Sequence, residues 1–270
     1  MKCTEGYLKK MDLVSEIKKK KEFKSLDDSF VNNALNKVVK ENQLKLEKDS
    51  EEIIKKTRAF LREVYGAFVS KGFNKRDKLL SMIKSLDDIE THQKILKQHI
   101  STAERIPYYT QVYSSIFAIT GQPKSVLDIA AGLNPVSYPF LKCRPKYYAY
   151  ELSETDAEFL QKYFDKMKID GKALHGDITL LSEMQKLPSA DVCFLFKALD
   201  TLESVRWDVT KELFSNINCK WIVASFPMKS LGGRKIMPEK RLSWFLRIIS
   251  QFEYTKITIG DELFFVIRKA

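Results

Sequence analysis

Three acidic residues, Asp128, Glu151 and Asp177, stand at or near the ends of short apolar runs of the kind that form buried strands. Carboxylates repeated at successive strand ends suit a nucleoside, because ligands of an open α/β sheet bind outside the carboxyl ends of its strands. Glu151 falls 19 residues after Gly132, a spacing at which an acid grips ribose hydroxyls. Asp177 with Ile178 suits an adenine, the carboxylate near its amino group and the isoleucine against its face. One such acid alone would read as a helix cap or a surface charge; the register of three favours the nucleoside. The turn after the first run, Ala130-Ala131-Gly132, is small enough for a ligand to approach the backbone, and Pro135 suits the first turn of a helix. A nicotinamide dinucleotide fits poorly, since a G-x-G-x-x-G turn is absent. S-adenosyl-L-methionine carries no phosphate; its carboxylate needs a cation or amides, which Arg105 and the Gly132 region offer.

The elements that must hold these acids follow from the surrounding pattern. From residue 125 strands and helices alternate: strands near 126–129, 147–150, 172–175, 191–196 and 221–225, with helices near 155–168 and 239–250. Two last strands, 253–258 and 262–268, flank Gly260-Asp261 and should pair as a hairpin. The pattern predicts an α/β fold with a mostly parallel sheet and an antiparallel terminal hairpin. Before it, residues 1–98 contain no proline and apolar residues recur at helical spacing (Phe30, Ala34, Leu35, Val38; Ile53, Phe60, Leu61, Val64). This predicts an all-helical N-terminal domain over 1–98 and a catalytic domain over 99–270. Ser25 and Asp27 or Asp28, then Asp49 or Ser50, are helix-cap candidates, and His99–Arg105 reads as a capping box opening a helix that runs to Ile119.

A hydrophobic content of 44% marks a globular chain. No apolar run is long enough for a bilayer span and no signal-peptide core follows Met1, so a cytoplasmic location without membrane contact is expected. The cysteines at 3, 143, 193 and 219 lack metal-ligand spacing and read as reduced thiols; no metal is expected. The net charge is +11, and residues 1–124 hold 25 Lys/Arg against 17 Asp/Glu. Excess charge in the helical half points to a polyanion, although lysines also serve solubility. Lys18, Lys19, Lys20 and Lys21, with Lys75, Arg76 and Lys78, are the candidate phosphate contacts.

Four blocks carry a resemblance: His99-Ile-Ser-Thr-Ala-Glu-Arg105, Val126-Leu-Asp-Ile-Ala-Ala-Gly-Leu-Asn-Pro135, Phe194-Leu-Phe-Lys-Ala-Leu-Asp-Thr-Leu-Glu203 and Ser225-Phe-Pro-Met-Lys-Ser-Leu-Gly-Gly-Arg234. Together with Val64-Tyr-Gly-Ala-Phe68 they resemble the aminoglycoside-resistance 16S rRNA (guanine-N7) methyltransferase family. The resemblance implies a class I, Rossmann-like S-adenosylmethionine-dependent methyltransferase behind a helical rRNA-binding extension. It also implies a guanosine target in the decoding region of 16S rRNA in the small ribosomal subunit, and a working monomer. By motif position it implies that Phe68, His99, Ser101, Arg105, Asp128, Ala130, Gly132, Glu151, Asp177, Ile178 and Leu195 line the cofactor site. Ala130-Ala131-Gly132 and Ser204-Val205 depart from the family pattern, and the first forty residues match it least.

Guanine N7 has a free lone pair and no proton, so methylating it needs alignment rather than a general base. The sequence places no His/Asp or Cys/His dyad at the strand ends, in keeping with that. N7 is covered by stacking within a helix, so the base has to be extruded. Lys197, Phe226, Lys229 and Arg234, with Phe196, are candidates to position it, and Lys229, Arg234 and Lys235 sit in a loop with Gly232-Gly233 suited to RNA phosphates. Phe196 and Phe226 read equally as core. Two other functions stay open: a methyltransferase acting on another RNA nucleotide, and a non-catalytic rRNA-binding assembly factor.

Overall fold

The computed structural model describes residues 12–66, 75–229 and 236–269. Its centre is one seven-stranded sheet: β1 (Ser125–Ile129), β2 (Lys146–Glu151), β3 (Gly171–His175), β4 (Ala190–Phe196), β5 (Cys219–Pro227), β6 (Glu253–Ile259) and β7 (Glu262–Arg268). The order is β3-β2-β1-β4-β5-β7-β6. The first five strands pair in parallel, while β7 runs antiparallel to both β5 and β6. Strand order therefore reverses between β1 and β4, where a crevice opens at the carboxyl ends. The expected strands and hairpin are present, with Gly260 at φ +56° in the hairpin turn. β7 sits between two strands and is almost wholly buried, which its continuous run Leu263–Ile267 requires. β6 is the edge, largely exposed and carrying Glu253 and Lys256, charges that discourage edge-to-edge pairing.

Apolar side chains cover both faces of the sheet. On one face lie α7 (Tyr109–Thr120) and α8 (Glu154–Met167), supplying Tyr109, Tyr113, Tyr163 and Phe164 to the core. On the other lie α9 (Leu181–Met184), α10 (Leu199–Val205), α11 (Val209–Asn216) and α12 (Ser243–Ile249). Ahead of the sheet, α1 (12–18), α2 (Asp28–Glu41) and α3 (Ser50–Val64) build a separate apolar cluster from Ile17, Phe30, Leu35, Ile53 and Leu61, which Val205 of α10 joins. Helix α2 buries one stripe, Phe30, Val31, Ala34, Leu35 and Val38, and Asp27 caps it by accepting from the Ser29 amide at 2.8 Å. The helices α4 (Arg76–Met82) and α5 (Ile89–Leu96) bury Leu80, Ile83, Ile95 and Leu96 with the sheet-side core.

Two local expectations need correction. The capping box at 101–104 does not form: α6 (Ile100–Arg105) starts from His99 with no side-chain cap, and the Thr102 hydroxyl donates to the carbonyls of Leu96 and His99 instead. Nor does one helix run to Ile119. Pro107 lies in a 3-10 turn at Ile106–Tyr108 that separates α6 from α7, because proline lacks the amide a continuing helix needs. Pro135 does open a helical segment, but Asn134–Leu141 is 3-10 and has Pro139 inside it.

Candidate active site

The crevice between β1 and β4 holds a cavity lined by His99, Ser101, Ala130, Gly132, Glu151, Asp177, Ile178 and Lys197, together with Tyr150, Asp156 and Phe196. Two non-glycine residues leave their strands there in the left-handed region: Ala130 at φ +52° after β1 and Lys197 at φ +55° after β4. Such backbone is costly and is tolerated where neighbours fix it. Lys197 is fixed by its amide, which donates to both the carbonyl and the hydroxyl of Ser225 at 3.1 Å. Gly132, at φ +55°, lies so close to His99 that a Cβ would meet its ring nitrogen at 3.1 Å. The glycine thus serves a left-handed turn and a close approach at once.

Glu151, at the end of β2, accepts the Gly132 amide proton, and no ion pair reaches it among the described residues. Burial pushes its carboxyl up to about 8; the nearby Asp156 adds to this, and the Gly132 amide opposes it. Asp128 is pushed up to about 6 by burial, although Asn134 and Tyr147 donate to it at 2.8 and 2.7 Å. Asp177 is likewise raised by burial; Thr179 donates to one oxygen from its amide and hydroxyl at 2.9 and 2.6 Å. Of the three, Glu151 is the carboxylate short of side-chain partners, and donor groups of a ligand would supply them. His99 is the opposite case: burial, then the cations Arg105, Arg76 and Lys197, push it down to about 3, so its ring is neutral. It makes a hydrogen bond to Ser101 at 3.1 Å.

Several expected site residues lie elsewhere. Arg105 does not face the cavity. It is buried against Glu262 in a two-pronged pair at 3.1 and 2.8 Å, and its remaining prong donates to Asn134 at 3.2 Å. Burial pushes Glu262 up, but Arg105 and Lys197 outweigh it and hold the carboxyl below the usual range. Asp128 and Leu195 are buried behind the cavity wall and not on it, the first tied through Asn134 to Arg105. Phe226 cannot stack on a base, being 1% exposed and packed on Phe245 with ring centres 4.7 Å apart. Arg76 is not available to a phosphate in this structure: it pairs with Asp156 at 2.5 Å and lies over Phe159. Phe68, Arg234 and Lys235 fall outside the described residues. Lys19, Lys20, Lys21, Lys75 and Lys78 are exposed, and Lys18 is half-buried beside Asp28.

The front helices contribute a wall that sequence reasoning missed. Phe30 of α2 and Val64 and Tyr65 at the end of α3 line the cavity. Ser29 and Asn33 of α2 donate to the second oxygen of Asp177, both at 3.3 Å, and Tyr65 donates to Asp156 at 2.8 Å. Helical periodicity marks these residues as a buried stripe, and no local pattern tells which surface covers it.

A second cavity opens beside the first. It is lined by Glu104, Asp200, Ser204, Pro227, Lys229 and Met237, and shares Val64, Ser101, Lys197 and Thr201 with the first cavity. Lys197 stands in the common wall, its ammonium 2.7 Å from Glu104 and 3.4 Å from Glu262. Lys229 pairs with Asp261 at 2.9 Å.

A parallel sheet that reverses order beside a glycine turn, with acids at the ends of β1, β2 and β3, is the class I S-adenosylmethionine-dependent methyltransferase fold. Residues 29–244 match the ribosomal RNA methyltransferase (FmrO) family, and the chain belongs to it. The chain is 30% identical over 231 residues to a 16S rRNA (guanine(1405)-N(7))-methyltransferase of Micromonospora rosea, covering 82% of this chain and 84% of that one. An enzyme of the same name from Serratia marcescens is 30% identical over 229 residues, covering 82% and 85%. Among solved structures, the 16S rRNA methyltransferase RmtF in complex with S-adenosyl-L-homocysteine superposes with a TM-score of 0.83 at 21% identity, covering 97% and 98% of the two chains. An rRNA methylase from Escherichia coli gives 0.78 at 22% identity, covering 97% and 100%. These two show the shared fold.

Proposed function

We propose that this chain methylates N7 of a guanosine in the decoding region of 16S rRNA, using S-adenosylmethionine and acting on the small ribosomal subunit. The observation that carries the reading is the pair of cavities meeting at Lys197. One is lined by Glu151, an acid short of side-chain partners, with Asp177 and Ile178, a set suited to a nucleoside, and the other is open to an acceptor. Glu151 would hold the ribose hydroxyls, Asp177 and Ile178 the adenine, and Gly132 the chain that approaches the turn. When bound, S-adenosylmethionine supplies an electrophilic methyl group. The remaining work falls to positioning, because N7 brings its own lone pair and loses no proton. His99, the one imidazole on the wall among the described residues, is too weakly basic to take a proton at neutral pH, which suits an acceptor that has none to give.

The exposed Lys19, Lys20, Lys21, Lys75 and Lys78 are the proposed phosphate contacts of the helical extension over residues 1–98, with Lys229 nearer the target. The chain is proposed to work as a monomer in the cytoplasm. No helix among the described residues is long and apolar enough to cross a membrane, and the described residues hold no cluster suited to a metal ion. In a host that carries the enzyme, aminoglycoside resistance is the expected consequence. The decisive experiment is methylation of purified small subunits with labelled cofactor, followed by mapping of 7-methylguanine by its labile glycosidic bond. One modified guanosine in the decoding region is expected. Label elsewhere in the RNA would move the target, and no label at all would overturn the reading.

A further inference from the structure

Glu104 is the residue at the site that neither the strand-end pattern nor the ribose grip uses. It is half-exposed, lines the second cavity and is absent from the first, while its ion-pair partner Lys197 lines both. Passing outward from the cofactor cavity, the wall therefore presents the Lys197 ammonium first and the Glu104 carboxylate second. Guanine presents a matching series along one rim: N7, then the O6 acceptor, then the N1–H and N2–H donors. With N7 turned toward the cofactor cavity, O6 comes beside Lys197 and the two donors beside Glu104.

We propose that the Glu104–Lys197 pair reads the guanine base, Lys197 donating to O6 and Glu104 accepting from N1–H and the 2-amino group. The proposal rests on the guanosine reading above and adds the residues that select the base. Adenine would set an amino group against the Lys197 ammonium and an acceptor nitrogen against the Glu104 carboxylate, so both contacts become repulsive. The pairing also suits the charge balance. Methylation leaves a positive charge on the imidazole ring of the base, and Lys197 does not stand alone against it, because Glu104 and Glu262 flank its ammonium. The left-handed backbone of Lys197, locked by Ser225, fixes where that side chain starts.

The test uses the full chain with reconstituted small subunits carrying guanosine or inosine at the mapped position; inosine lacks only the 2-amino group. Wild type should favour guanosine over inosine by about tenfold, the size of one hydrogen bond to a charged acceptor. E104Q should lower kcat/KM on guanosine subunits by about 30-fold or more and bring the guanosine-to-inosine ratio near one. Calorimetric affinity for S-adenosylhomocysteine should stay within about threefold, which also reports that the variant is folded. E104D should recover part of both rate and ratio. A wild-type ratio near one, or a ratio unchanged in E104Q, would overturn the proposal even though the enzyme methylates guanosine. Wild type inert on guanosine subunits would overturn the substrate reading and this proposal with it.

Discussion

Two sets of buried carboxylates lie within the same few strands, and they are held in opposite ways. Glu262 meets Arg105 in a two-pronged pair with Lys197 close by, and its carboxyl stays ionised below the usual range. Glu151 meets backbone amides and, among the described residues, no cation, and burial pushes its carboxyl up to about 8. The sheet could have neutralised both. A buried charge with its counter-ion is a structural element, whereas a buried acid without one is held ready for a ligand that brings donors. The difference separates the frame of the site from its working face.

The largest effect expected from that contrast is on the frame. Arg105→Ala leaves Glu262 buried without its main partner and should cost about 3–5 kcal/mol of stability in urea unfolding. A loss below about 1 kcal/mol would mean the pair is not the frame. On the working face, Glu151→Gln should weaken S-adenosylhomocysteine binding by about 10- to 100-fold in calorimetry, the scale of hydrogen bonds to a charged group. Its cofactor-free fold should be no less stable than wild type, the reverse of Arg105→Ala; equal destabilisation by both would erase the distinction.

The third effect is on pH. Ribose hydroxyls donate to the ionised carboxylate, so a protonated Glu151 must lose its proton when the cofactor binds. Affinity should therefore rise as pH climbs toward about 8, by up to about tenfold per unit, and then level off. Calorimetry at pH 7 in buffers of different ionisation enthalpy should register proton release, and Glu151→Gln should abolish it. The smallest effect concerns stability. A carboxyl raised from 4.5 to about 8 in the folded state stabilises the fold fully below about pH 4.5, and that contribution is lost as pH rises through 8. Glu151→Gln should accordingly raise the melting temperature of the cofactor-free protein at pH 8.5, on the order of 2–4 °C per kcal/mol relieved. The gain should vanish near pH 4.5.

The strand-end acids and the hairpin were legible because strands alternate with helices at regular intervals and each acid interrupts an apolar run. Glu151, Asp177 and Gly132 could be placed from spacing alone, and all three reach the cavity. Arg105 and Phe226 could not be placed, since an arginine reads the same whether it faces a ligand or a buried glutamate 157 residues away. Glu262 was invisible for the same reason: alone at the head of an apolar strand it looks like a turn residue. Capping chemistry misled at Ser101, whose hydroxyl finds His99 rather than a helix amide. The share of α2 in the cavity wall through Phe30, and its grip on Asp177 through Asn33, depends on how two separate apolar clusters meet, which periodicity does not encode.

One strand running backwards has a further consequence. The parallel strands bring their last residues to the ligand side, but β7 brings its first, and that residue is Glu262. During synthesis Arg105 emerges long before the carboxylate that pairs with it, whereas Lys197 already has Glu104 at 2.7 Å. A nascent chain that stops short of Glu262 carries Arg105 at the heart of its sheet without its two-pronged partner. The fold therefore gains its electrical closure late, from a segment that touches neither proposed substrate, and an early stop in the hairpin would disable the site without removing any residue on the cavity wall.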